Sequence, residues 1–191
     1  MIPDSLATQP IFLCVDDTMV AKAGTRFENV SKLFDHAAHN GSNYLNGHCF
    51  VSIMLCIPVW KNDRVSYLSL PLGYRMWQKK ESKLELAASM IRQVMPEFQE
   101  KKQVIILCDS WYTKRNLVSI VDEYQNLDLI GNARIDSVMY APAHTGRRGR
   151  PAKHGKRLSV ETDFAFSNEK IGDYYIGAHR VITNLFGCRE I

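Results

Sequence analysis

Two short stretches of this chain hold acids where acids could do chemistry. FLCVDDT carries an apolar run straight into Asp16 and Asp17, and VIILCDSWY repeats the shape, ending at Asp109. Two carboxylates brought within a few ångströms repel each other. They are stabilised together by a shared proton, a cationic side chain or a metal ion. No Lys or Arg lies within four residues of Asp16, and Lys114 and Arg115 are offset from Asp109 by an expected turn. Metal binding is therefore the favoured chemistry, and hard carboxylate oxygens with open positions suit Mg²⁺ or Mn²⁺. A paired-ion site of this kind clamps a phosphodiester between the attacking and the leaving oxygen. The plainer alternative is that each Asp merely starts a turn or caps the next helix.

The acids need neighbouring strands to meet. Ile11 to Val15 is a continuous apolar run that suits a strand covered on both faces, and Val104 to Cys108 is a second. Val20 to Asn46 reads as an irregular loop. His48 to Val59 and Val65 to Leu70 read as a hairpin around Lys61-Asn62-Asp63. Leu84, Ala87, Ala88, Ile91, Val94, Met95 and Phe98 recur at the spacing of one helix face, with Ser82 and Glu85 in capping-box positions. A further helix is expected from Thr113 to Tyr124, then strands at Leu127 to Asn132, Val160 to Phe166 and Tyr174 to Ile182. A hairpin followed by strand–helix–strand units gives an α/β chain with a mixed sheet flanked by helices. Ligand-binding residues of such sheets gather at strand ends, where Asp16 or Asp17 and Asp109 stand.

The bulk composition fits one domain. At 191 residues and 46% apolar content, the chain has the material for a substantial core. The longest apolar run, CFVSIMLCIPVW, is too short to span a bilayer, so no membrane association is expected. MIPDSLATQP lacks the features of a signal peptide. The five cysteines form no C-x-x-C pair, which suits a reduced, cytoplasmic protein without a disulfide framework or zinc site. Phosphate-binding glycine loops are missing, which argues against ATP-driven and nicotinamide chemistry.

The net charge of +4 is concentrated in one place. GRRGRPAKHGKR, residues 146–157, holds Arg147, Arg148, Arg150, Lys153, Lys156 and Arg157 and no acid. Without these six, 18 of the 24 bases would face 20 acids. Arg148-Gly149-Arg150-Pro151 matches the centre of an AT-hook, in which Gly lets the backbone approach the minor-groove floor and the arginines use its negative potential. The flanking bases would add phosphate contacts. A solvated basic loop is the competing reading.

In order along nearly the whole chain, VDDT, Asn46-Gly47-His48 on a long strand, PLGYR before a helix, LCDSWY and GRRGRPAKHGKR resemble the DDE-type transposases of bacterial insertion sequences. The resemblance implies an RNase H-like fold with a basic loop or β insertion after the fifth strand. It also implies a catalytic trio of two Asp and one Glu, and two divalent metals (Mg²⁺ or Mn²⁺) that cut and rejoin DNA. Expected partners are transposon ends and target DNA, with a homodimer expected of the full-length protein and nucleoid association when DNA is bound. The first Asp falls on Asp16, with Asp17 as the alternative, and the second on Asp109. The helix-borne Glu has no counterpart among the late acids Glu161, Glu169 and Glu190. The expectation is thus a single domain over 1–191, cut short of its third acid and inactive by itself. A non-catalytic DNA-binding remnant acting through the basic segment is the alternative. His36, His39 and His48 are read as loop or strand histidines. Trp111 and Tyr112 either stack on a displaced base or cover the sheet edge.

Overall fold

The computed structural model describes residues 9–24, 26–35, 43–61, 64–98, 102–134, 136–143, 152–184 and 189–191. The chain is organised as two compact units, Met1–Asn132 and Ala133–Ile191.

The first unit is built on a six-stranded sheet. Its strands are β1 (Ile11–Ala21), β2 (Ser31–Phe34), β3 (Tyr44–Lys61), β4 (Arg64–Met76), β5 (Val104–Cys108) and β6 (Leu127–Gly131). β3 pairs antiparallel with β1 and, on its other edge, with β2 and then β4. β5 runs parallel to both β1 and β6. An antiparallel meander continued by parallel strands is the mixed sheet of an RNase H-like α/β fold, as expected. The irregular loop expected over 20–46 contains strand where it is described: β1 runs on to Ala21, and β2 forms within it.

Alternation along β1 sorts its side chains. Ile11, Leu13 and Val15 are fully buried, whereas Phe12 and Cys14 are half-buried on the opposite face. The buried set packs with Val51, Ile53 and Leu55 of β3 and Val104 and Ile106 of β5. Helix α1 (Lys83–Val94) lays Leu86, Ala87, Met90 and Ile91 on this face. Each of the larger aliphatic side chains among these contributes on the order of 1.5–3 kcal/mol by leaving water. The capping box forms as expected: the Ser82 hydroxyl accepts the Glu85 N–H at 3.1 Å, and the Glu85 carboxylate accepts the Ser82 N–H at 3.0 Å.

The helix expected over Thr113 to Tyr124 is broken. Only Arg115–Val118 (α2) is α-helical, and Ser119–Glu123 tightens into a 3₁₀ turn. No side chain caps the α2 N-terminus, and the β-branched Val118, Ile120 and Val121 weaken any continuation. β4 is exposed along nearly its whole length, and β3 is its only partner among the described strands. Its register shifts at Ile53/Met54, beside Pro71.

The second unit holds a four-stranded sheet of two-residue strands: β7 (Met139–Tyr140), β8 (Arg157–Leu158), β11 (Ile182–Thr183) and β12 (Arg189–Glu190). It also has a small hairpin of β9 (Lys170–Ile171) and β10 (Tyr174–Tyr175). The strand expected over Val160 to Phe166 is instead a single helical turn, α3 (Val160–Asp163). The Asp163 carboxylate accepts the Ser159 N–H and pairs with Lys156, and these local bonds close the turn. Tyr174 to Ile182 is likewise strand only at its ends. Among the described residues no helix is long and apolar enough to cross a membrane.

Candidate active site

β1 and β5 lie side by side and parallel, with Val15 opposite Cys108, so the acids that follow arrive at the same end of the sheet. A cleft of about 300 Å³ opens there. Asp17 and Met19 of β1, Lys32, Leu33 and Phe34 of β2, Trp77, Lys83 of α1, Asp109 and Trp111 line it.

The two adjacent acids of β1 part ways. Asp17 continues the inward register of Ile11, Leu13 and Val15 and lines the cleft. Asp16 is exposed, is not among the lining residues, and accepts the backbone N–H of Asp17 on Oδ1 at 2.8 Å. Asp16 is expected on the cleft side of β1, but the structure places Asp17 there, because one residue of register turns a strand side chain over.

Asp17 is held by side chains from three other elements. Oδ2 accepts from Lys83 Nζ at 2.7 Å and from the Cys49 thiol at 3.2 Å, while Oδ1 accepts from the Tyr112 hydroxyl at 3.0 Å. The Asp17 and Lys83 side chains retain only 16% and 18% exposure. This is a largely desolvated ion pair rather than a surface one. Burial alone would lower the Lys83 pKa, but the hydrogen bond and charge of Asp17, with a smaller contribution from Cys49, carry it above its ordinary value. Burial, and then Asp17, push the Cys49 thiol up to about 11. The Tyr112 hydroxyl is raised for the same reasons. Both therefore stay protonated and donate to Asp17 at neutral pH.

Asp109 is held by its own turn. Oδ1 accepts the backbone N–H groups of Trp111 at 3.0 Å and Tyr112 at 3.1 Å, and the Asp109 carbonyl accepts from the Thr113 N–H and hydroxyl. That turn sits against β6, where Gly131 leaves no room to spare. A Cβ there would stand 2.3 Å from Thr113 Oγ1 and 3.1 Å from Cys108 Sγ.

The aromatic residues divide by role. Tyr112 is buried and serves Asp17, while Trp111 is exposed and forms a cleft wall. Trp77 faces the same cleft, its indole N–H donating to the Glu81 carbonyl at 2.7 Å. His48 is bonded to the Glu28 carbonyl at 2.8 Å, in keeping with its reading as a strand histidine. His36 and His39 lie outside the described residues, as do Arg147, Arg148 and Arg150 of the basic segment. Lys156 pairs with Asp163. Arg157 lines a groove of the second unit with Arg134, but Glu161 and Asp163 line it too, so the groove is of mixed charge. Glu169 is exposed beside β9, and Glu190 falls in β12.

Sequence reasoning did not single out Lys83, Cys49 or Trp77. One signal for Lys83 was available. It is the first residue of α1, where the helix dipole disfavours a cation unless an acid answers it. Among the described residues no group of three or more His, Cys, Asp or Glu side chains is placed to hold a metal ion.

Neither the curated proteins nor the solved structures yield a match to this chain. A family model does: the one described as DDE superfamily endonuclease matches residues 2–170, a span that takes in the whole sheet, both acid-bearing strand ends and the basic segment. With nearly all of its length matched, and with its acids brought to one end of an RNase H-like sheet, the chain belongs to the DDE superfamily endonucleases.

Proposed function

We propose that this chain is the core of a DNA transposase that hydrolyses a phosphodiester at a transposon end and then directs the freed 3′ hydroxyl at target DNA in line. The carrying observation is that Asp17 and Asp109, from adjacent parallel strands, line one cleft whose other walls are aromatic and basic.

The donor chemistry suits a hard divalent cation such as Mg²⁺ or Mn²⁺. Both acids offer carboxylate oxygen, and only Oδ1 of the Asp109 carboxylate takes part in its turn. Asp17 and Asp109 would hold the ion, which when bound offsets phosphate charge and makes the attacking oxygen easier to deprotonate. The chain's own residues do the positioning. Tyr112 orients the Asp17 carboxylate, and the Asp109 turn fixes the second acid against β6. Trp77, Trp111 and Phe34 give flat apolar walls for sugars and bases, and Lys32 attracts the backbone. A third carboxylate would complete the set, and no group of three or more such ligands stands together among the described residues. In this reading the stretch alone nicks DNA negligibly.

The test is Mg²⁺-dependent nicking of DNA bearing the transposon end by the full-length protein. Asp17→Asn and Asp109→Asn should each abolish it, and Asp16→Asn should not. Nicking that survives Asp109→Asn would refute the assignment. One observation favours a second reading, a DNA-binding remnant without catalysis: Lys83 already neutralises Asp17. A remnant would bind DNA in a salt-dependent way that ignores Mg²⁺ and Asp17→Asn and collapses in Arg148→Ala/Arg150→Ala.

A further inference from the structure

We propose that the Lys83 ammonium is the resident cation of the acidic cleft, an occupant that a divalent ion must displace from Asp17. The proposal rests on the reading of this cleft as a metal site.

Three features put Lys83 in that position. Its Nζ stands 2.7 Å from Asp17 Oδ2, and both side chains are more than four-fifths buried. The same nitrogen lies 5.6 Å from the ring centre of Trp77 and 5.3 Å from that of Trp111, within reach of both π faces. Trp77 is itself pinned, by its indole bond to Glu81 and by a backbone bond from its N–H to the Cys49 carbonyl at 2.7 Å. Against these stands the start of α1, the worst end of a helix for a cation. A lysine held there is held by the acid and the rings.

The consequence for an arriving ion is direct. Both oxygens of Asp17 are engaged, Oδ2 by Lys83 and Cys49 and Oδ1 by Tyr112, and the carboxylate charge is cancelled at contact distance. An ion that reaches Asp109 therefore finds its second ligand already neutralised. It binds weakly until Nζ withdraws, and the resting chain is kept from metal-driven cleavage. Once displaced, the ammonium remains tethered to the rim of the cleft by α1, where a phosphodiester is the anion at hand.

Mn²⁺ binding to the whole chain, followed by the loss of the free-ion paramagnetic resonance signal, tests this without any activity assay. Lys83→Met should bind Mn²⁺ at least about tenfold more tightly than the unaltered chain, because an uncompensated, partly buried carboxylate favours an added cation. Lys83→Arg, which keeps the charge, should bind as the unaltered chain does. Adding Asp109→Asn to Lys83→Met should remove the gain. Equal affinities for the unaltered chain and Lys83→Met, both lost on Asp109→Asn, would overturn the Lys83 proposal and leave the metal site standing. No Mn²⁺ binding by any of them would sink the metal reading and this proposal with it. Should Lys83→Met fail to fold, Mg²⁺ titration of the unaltered chain decides. Withdrawal of Nζ from Trp77 and Trp111 should shift tryptophan emission along the binding curve, and constant emission at saturation overturns the proposal.

Discussion

Asp17 and Asp109 line the same cleft, but their surroundings are built differently. The partners of Asp17 come from β3, α1 and the turn after β5, up to 95 positions away in the chain. The partners of Asp109 are the backbone N–H groups of Trp111, Tyr112 and Thr113 and the Thr113 hydroxyl, all within its own turn. One acid is set by tertiary packing and reports on whether the unit has assembled. The other is set by hydrogen bonds within its own turn. A site made this way has one fixed jaw and one that depends on everything around it.

Stability measurements can break this comparison. In urea unfolding, Asp17→Ala should cost about 2–3 kcal/mol, since it strands Lys83 and the Tyr112 hydroxyl in a largely dry place. Asp109→Ala should cost only about 1 kcal/mol, the usual loss for a side chain that closes a turn. Equal costs would erase the distinction. Next in size, Gly131→Ala should destabilise by about 1–3 kcal/mol, because its Cβ collides with Thr113. Removing the obstruction with Thr113→Ala should recover part of the loss, which would show that the fixed jaw leans on β6. Tyr112→Phe should cost about 1 kcal/mol and leave the Asp109 turn intact, since the Tyr112 backbone N–H is unchanged.

The smallest effect concerns pH. The Glu85 carboxyl is held below its ordinary value of 4.5, first by the Ser82 backbone N–H and then by its hydroxyl. A depressed folded-state pKa stabilises above the unfolded value, and the contribution fades as pH falls through the folded one. The acid side of the stability profile, below about pH 4.5, should therefore be flatter in Glu85→Gln than in the unaltered chain. The alkaline side should not differ. A profile that stays parallel throughout would remove Glu85 from the support of the helix that carries Lys83.

The same division explains what could be read from sequence. Local features were legible: the apolar runs of β1 and β5, the hairpin of β3 and β4, the Ser82–Glu85 box and the turn at Asp109 all depend on residues close in the chain. The partner of Lys83 was not, because Asp17 lies 66 positions away and nothing but the fold brings the two together. Which of Asp16 and Asp17 lines the cleft turns on a single residue of strand register, which a continuous apolar run does not encode. Val160–Asp163 misled for another reason. Its β-branched and aromatic neighbours favour a strand, but Asp163 bonds back to Ser159 and Lys156 and closes a helical turn.

β4 has a consequence for how copies of this chain meet one another. Its outer edge runs beside no other described strand, and its side chains, among them Val65, Tyr67, Leu68 and Leu70, face solvent. Such an edge is a template on which a second chain can extend the sheet, and concentrated solutions invite that. Pro71 interrupts it, offering no N–H to either side, just where the ladder with β3 slips. One ring in the backbone thus divides the open edge into two shorter runs, one on each side of it, and works against filament growth.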